Sequence, residues 1–455
     1  MKLRETSRHP IQIILIFQLL LFFAIPSQAT EIIPKRILLP NGMVLLLVES
    51  HSIPIVTAQM TIKAGSRFDS PDKAGLAHLT ASLLQSGTQT RQATEISDAI
   101  DFIGGKLTVE AHSDSSSAFL KVLRKDVETG FDILSDIIRN PAFSQKELDR
   151  KKREVLGEIL GEKENPGLVA RKAFNEIIFS NHPFQYPVIG LEKTLSRIKR
   201  KDVIQFHQSY YRPNNSMIAI VGDLTESEAR GLVRKYFENW EKGPIKPPAI
   251  LPPTPLHEKK MRIIDQAVTQ SNIVLGHLGV PKNHPDYHAL LVMNYILGGG
   301  GFSSRLMTEV RDNQGLAYHI SSRFQSYLDV GTFLVVLQTK NSSANQAIQQ
   351  VLSEIQRIQT EPVTDRELKE SRAFLMGSFP LRLDTSSKLS NFLTSIELYG
   401  LGLDYLDRFP KIIASISKED VLQVAQKYLQ ADRYLLVAVA NKAEASILSP
   451  GLGKN

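Results

Sequence analysis

Segments of this chain return at a nearly fixed distance, and that repetition limits the folds open to it. Asp202-Val203, Tyr210 and the apolar run Met217 to Val221 reappear as Asp420-Val421, Tyr428 and Leu435 to Val439, at a constant offset of 218 residues. Leu134-Ser135 matches Leu352-Ser353 at the same offset, and Lys146-Glu147-Leu148 matches Arg366-Glu367-Leu368 at 220. Matched order with small insertions means one supersecondary plan laid down twice. Between the copies, six of the twelve residues from Pro244 to Pro255 are proline. Proline removes a ladder donor and blocks helix, so this stretch reads as an extended linker. The expected divisions are 1–29, 30–242, 243–257, 258–445 and a tail at 446–455.

Each copy mixes strands and helices. The first begins with apolar runs on either side of Pro40-Asn41-Gly42, a strand, tight turn and strand. A third strand follows over Ile55 to Lys63, two more over Lys106 to Leu123 and another over Ser216 to Val221, with helices near 94–103, 126–139, 144–162, 168–179, 201–210 and 226–240.

A further helix is predicted over Ala74 to Thr88. Leu76, Leu79 and Leu83 form its apolar face, leaving His78, Ala81, Ser82 and Gln85 on the other side. That second face has the layout of a metal site. In the His-x-x-Glu-His arrangement two imidazoles one turn apart hold zinc, and the glutamate between them is the general base. The same five positions here read His78-Leu79-Thr80-Ala81-Ser82, without the base and without the second imidazole. Ser82 lacks the Gly-x-Ser-x-Gly setting of an activated nucleophile.

Composition narrows the remaining classes. The formal charge is +7, but basic residues are interspersed with acidic ones along helical segments, a solvated surface and not a nucleic-acid footprint. At the N-terminus, Lys2, Arg4 and Arg8 precede an apolar run from Ile11 to Ile25, and Pro26-Ser27-Gln28-Ala29 supplies small residues for cleavage after Ala29. A signal peptide and export to the periplasm are expected, with no membrane span left after cleavage. The chain has no cysteine, which excludes disulfides.

Three further stretches carry a resemblance: Arg150 to Ile159, Gly298-Gly299-Gly300-Gly301-Phe302-Ser303-Ser304-Arg305-Leu306, and Glu309-Val310-Arg311-Asp312-Asn313-Gln314-Gly315-Leu316-Ala317-Tyr318. With the helix of His78, they resemble the pitrilysin/insulinase family of zinc peptidases, over nearly all of the chain from Ile37 to Val439. The resemblance implies an α+β fold of two similar halves, each a mainly antiparallel sheet covered by helices, facing each other across a chamber. It implies a zinc ligand at Glu158, seventy-six residues after Ser82. Read by itself, Glu158 lies on a charged helix face with Glu147, Lys151 and Glu154, the setting of a solvated carboxylate.

The resemblance also implies that Arg311 and Tyr318, seven residues apart, hydrogen-bond a bound peptide, and that the loop of Gly299 and Gly300 lines the peptide's entry. Some family members work as pairs, one chain carrying the zinc motif and the other the arginine and tyrosine. The expectation is therefore an exported, non-catalytic, substrate-binding subunit of a heterodimeric zinc metallopeptidase. Its partner, a chain of the same family, holds the zinc; its substrate is a peptide; no cofactor sits in this chain. Two alternatives stand beside it: a structural or binding protein of the same fold, and an active metallopeptidase with unusual ligands.

Overall fold

The structure is a computed structural model that describes residues 32–447. The leader expected over residues 1–29 lies outside the described residues, as does most of the expected tail. The first half runs β1 (Lys35–Leu38), β2 (Val44–Glu49), β3 (Ile55–Ile62), α1 (Leu76–Leu83), α2 (Ala93–Phe102), β4 (Lys106–Ala111), β5 (Ser116–Leu123), α3 (Val127–Arg139), α4 (Gln145–Glu162), α5 (Pro166–Ile178), α6 (Glu192–Leu195), α7 (Arg200–Tyr210), β6 (Ser216–Gly222) and α8 (Glu226–Phe237). Residues 243–256 form neither helix nor strand, in keeping with their prolines. The second half runs β7 (Lys260–Asp265), β8 (Gln270–Gly279), α9 (Tyr287–Asn294), β9 (His319–Ser326), β10 (Gly331–Lys340), α10 (Ala344–Thr360), α11 (Asp365–Gly377), α12 (Ser386–Leu398), α13 (Tyr405–Ser415), α14 (Lys418–Tyr428), β11 (Leu435–Ala440) and α15 (Lys442–Ala445).

The two sheets share one topology. Their strand orders are β1-β2-β6-β3-β5-β4 and β7-β11-β8-β10-β9, so the first sheet is the second with β1 added outside. In each, a single parallel pair, β2 with β6 or β7 with β11, joins otherwise antiparallel ladders. The repeat read from the sequence is thus a repeat of structure, down to its caps. Ser144 accepts from Glu147 N at the start of α4, and Thr364 accepts from Glu367 N at the equivalent start of α11.

Every residue of the central strands β6 and β11 is buried. A strand that reads as a continuous apolar run is covered on both faces, and the cover on one face is unusual in origin. α5, from the first half, lies across β8 and β11 of the second sheet, packing Ala170, Ala173 and Phe174 against Leu435, Val437 and Val439. α12, the equivalent helix of the second half, lies across β3 and β6 of the first. Each half therefore lends one helix to the other's sheet. Ion pairs close the exchange: Arg36 on β1 makes a two-pronged contact with Glu397 on α12, and Arg262 on β7 reaches Glu176 on α5 at 2.6 Å.

At the seam, buried Asp114 accepts from Arg67 (3.1 Å) within its own half, and from Leu328 N (3.2 Å) and the Tyr399 hydroxyl (3.3 Å) of the other. Arg67 also pairs with Asp329 across the seam. Among the described residues, no helix is long and apolar enough to cross a membrane.

Candidate functional site

The helix of His78 is fixed at its start by a buried carboxylate. Asp69 accepts from Gly75 N at 2.8 Å and Ala77 N at 2.9 Å, which satisfies first-turn donors that a helix leaves open. Gly75 adopts φ +98°, and a Cβ there would meet the Ile189 carbonyl oxygen at 2.8 Å, so no other residue serves this turn as well. Burial pushes the Asp69 carboxyl up to about 8, against the pull of its backbone donors.

The helix is shorter than the predicted 74–88, ending at Leu83, and its second face is not free. Leu76, Leu79 and Leu83 join the core as expected, but Ala81 is also fully buried. α1 is enclosed by α4, α7 and β4, and Gln85 donates to the Leu107 carbonyl on β4 at 3.0 Å. Periodicity separated apolar from polar residues correctly, but it carried no information that neighbours would close over both faces.

The residues left at the zinc positions do not fit zinc. His78 is half-buried, and burial, with the nearby Lys151 ammonium, lowers its proton affinity. A cation at this imidazole would meet the same Lys151 charge. The Ser82 hydroxyl donates to the His78 carbonyl at 2.8 Å, and Ala81 offers neither ligand nor base. Glu158 is exposed on α4, while its neighbour Glu154 pairs with Lys151 at 2.9 Å. Catalytic zinc needs three protein ligands and an open position. Among the described residues no group of three His, Asp or Glu side chains converges to hold a metal.

The second candidate site is built from irregular helix. After α9 the chain widens into a π-type turn over Tyr295–Gly299, and another spans Met307–Asn313. Such turns give up regular helical hydrogen bonding and are frequent at functional sites. The glycines are required sterically: a Cβ on Gly298 would lie 2.5 Å from the Ser322 hydroxyl and 2.7 Å from Leu306, while Gly301 adopts φ +59°. Gly299 and Gly300 pack equally close to Asn294 and Tyr295. Asn294 and Ser322 exchange hydrogen bonds at 3.2 Å and 2.8 Å, which ties the loop to β9.

Arg311, in the last part of the second π-type turn, lies over the Phe302 ring at 5.3 Å, with a weak contact to the Met307 sulfur at 3.8 Å and a loose ion pair to Asp312 at 3.6 Å. Tyr318 enters β9, its N–H donating to the Gln338 carbonyl at 2.9 Å while its side chain is 74% exposed. Phe302 is equally exposed. The structure thus places the glycine loop, Arg311 and the start of β9 in one packed unit and leaves two exposed aromatic rings beside a half-exposed arginine. His78 and Glu158 belong to a separate unit in the other half. Phe302 was missed from the sequence, although its place directly after four glycines marks it.

Comparison with known proteins agrees with the fold. A family profile described as Insulinase (Peptidase family M16) matches residues 44–192, and one described as Peptidase M16 inactive domain matches residues 197–375. The chain is 29% identical over 358 residues to the uncharacterized zinc protease YmxG of Bacillus subtilis, covering 78% of this chain and 86% of that one. It is 27% identical over 403 residues to an uncharacterized zinc protease of Streptomyces coelicolor, covering 87% of each. Among solved structures it is similar to a peptidase M16 inactive domain from Pseudomonas fluorescens, with TM-score 0.84 and 27% identity over 90% of this chain and 98% of that one. A protease from Helicobacter pylori shares the fold, with TM-score 0.83 and 21% identity over 90% of this chain and 100% of that one.

Proposed function

The chain belongs to the M16, or insulinase, family of peptidases, and from that premise we propose that it is a non-catalytic, substrate-binding subunit of a two-chain zinc peptidase. The observation that carries the reading is the contrast between its two units. One has a single imidazole beside a lysine where zinc would sit; the other offers half-exposed Arg311, held only by a weak contact to Met307 and a loose ion pair to Asp312, beside exposed Tyr318. A guanidinium and a phenol so placed donate to a peptide carbonyl and to the oxyanion formed when water adds to it. The attacking water and the zinc belong to the partner, a chain of the same family with an intact His-x-x-Glu-His helix. Export by the N-terminal leader is part of the same proposal.

The test is reconstitution. The purified chain is assayed on peptide libraries alone and mixed with an exported family member that carries the intact motif. Cleavage is expected only from the mixture. Chelator-sensitive cleavage by the isolated chain would overturn the reading, and no gain from any intact-motif partner would leave a binding protein without peptidase role.

A further inference from the structure

α5 covers β11 and β8 of the second sheet but stops short of the edge, leaving a groove of about 420 Å³ above β10 and the edge strand β9. Strand alternation points His319, Ser321 and Arg323 of β9 into it, and Arg171 enters from the first two turns of α5. Among the described residues neither Arg171 nor Arg323 has a hydrogen-bonding or ion-pair partner. At the opposite edge of the same sheet, by contrast, Arg262 of β7 is neutralised by Glu176 of α5. Burial, and then the charge of Arg171, makes the Arg323 guanidinium less willing to carry its proton. Two unneutralised guanidiniums lining one groove, with Arg323 at its solvent-exposed rim, repel each other, a cost that an incoming anion relieves.

The fold does not demand this charge. Arg323 is opposite Leu334, then Gly276, then Leu435 across the sheet; in the first half the same path runs from Glu110 through Ser117 and Thr61 to Met217, and Met217 and Leu435 are repeat partners. The equivalent position therefore carries an acid in one half and a base in the other. β9 also begins directly after Tyr318, so an extended chain added along its edge passes Tyr318 on one face of the sheet and the groove on the other.

We propose that this groove selects acidic peptides: an extended segment lies along β9, and a glutamate or aspartate side chain is shared by Arg171 and Arg323. The proposal rests on the substrate-binding reading and adds the class of substrate. An open sheet edge suits an extended backbone, and paired guanidiniums bind carboxylate through charge-assisted hydrogen bonds.

The experiment uses the isolated full chain, with no partner and no turnover, so its failure is separate from failure of the reconstitution. Fluorescent decapeptides, acetylated and amidated at their ends, carry glutamate or glutamine at alternating positions, and a third peptide carries glutamine with a free C-terminal carboxylate. Anisotropy is expected to show the glutamate peptide binding about tenfold tighter than its glutamine twin, with the advantage falling as salt rises. Arg323→Gln and Arg171→Gln should each remove most of that advantage while leaving the glutamine peptide's affinity and the melting temperature unchanged. Equal binding of the two amidated peptides, or binding that follows only the free terminus, would overturn the proposal. Should Arg323→Gln lower the melting temperature, Arg171→Gln and the wild-type comparison still decide.

Discussion

Arg305 Nε and Nη2 donate to the two carboxylate oxygens of Glu367, at 2.6 Å and 3.0 Å, with the arginine 8% exposed. Glu367 also accepts from Thr364 N at 2.8 Å, so one carboxylate both caps α11 and anchors the loop that follows the glycines. Burial opposes ionisation of Glu367, but the Arg305 guanidinium and the Thr364 N–H outweigh it and hold the carboxyl down to about 2. Its contribution to stability is present above the ordinary glutamate value and lost as pH falls toward 2. Glu367→Gln leaves Arg305 buried and uncompensated, and a loss of about 3 kcal/mol is expected by urea unfolding at pH 7. The deficit should shrink as pH falls from about 4.5 toward 2, where the unfolded chain takes up a proton at Glu367 that the folded pair still excludes.

The Arg311 and Tyr318 surface gives a kinetic expectation. In the reconstituted peptidase, Tyr318→Phe and Arg311→Ala should each lower kcat/KM by about tenfold to a hundredfold. The stoichiometry seen by size-exclusion chromatography should not change. Normal kinetics from both variants would remove these residues from the site.

The helix of His78 makes a prediction about metal. Ser82→His supplies a second imidazole one turn from His78, and Glu158 is the third candidate ligand. The variant is expected to retain zinc after dialysis, measured by elemental analysis, in about equimolar amount and without hydrolytic activity, because Ala81 still provides no base. Lys151→Gln added to it should tighten retention by removing the cation that already depresses His78.

His277 contributes its own share of acid sensitivity, beside the similarly burial-depressed His182, His207 and His288. His277 is 2% exposed, its Nδ1 bonds the Leu278 carbonyl at 2.7 Å and its Nε2 accepts from Gln430 N at 3.2 Å, an arrangement of the neutral ring. Burial dominates over the carbonyl and pushes it down to about 4. The unfolded chain takes up this proton near pH 6.5 and the folded chain only near 4, so stability is lost as pH falls through that window. Relative to His277→Gln, the wild type should lose about 3 kcal/mol between pH 7 and pH 4.

Phe174, fully buried on α5, packs against strands of the other half. Phe174→Ala is expected to cost about 3–5 kcal/mol. Calorimetry should still show one transition at a lower temperature, because the lost contact is shared between halves.

How much of this could be read from residues alone varied with the physics involved. The repeat was legible because both copies keep the same caps and apolar spacing, and the strands and helices of the first half appear within a few residues of their expected bounds. The exchange of α5 and α12 was not legible: periodicity reveals that Ala170, Ala173 and Phe174 form an apolar face, but not whose sheet covers it. Arg311 and Tyr318 could be singled out from sequence because their spacing is local. Arg171 and Arg323 meet only through the exchange, from positions 152 residues apart, and no window of sequence joins them.

That exchange has a consequence for how the molecule can be divided. Cutting at the proline-rich connector severs a covalent link but leaves Phe174 under one sheet and α12 under the other, so a nicked chain stays associated as long as both pieces remain folded. Either piece made by itself would bare the inner face of its own sheet and carry an orphaned helix, while the two together could rebuild the whole. The connector is a tether of convenience; the clasp is the joint.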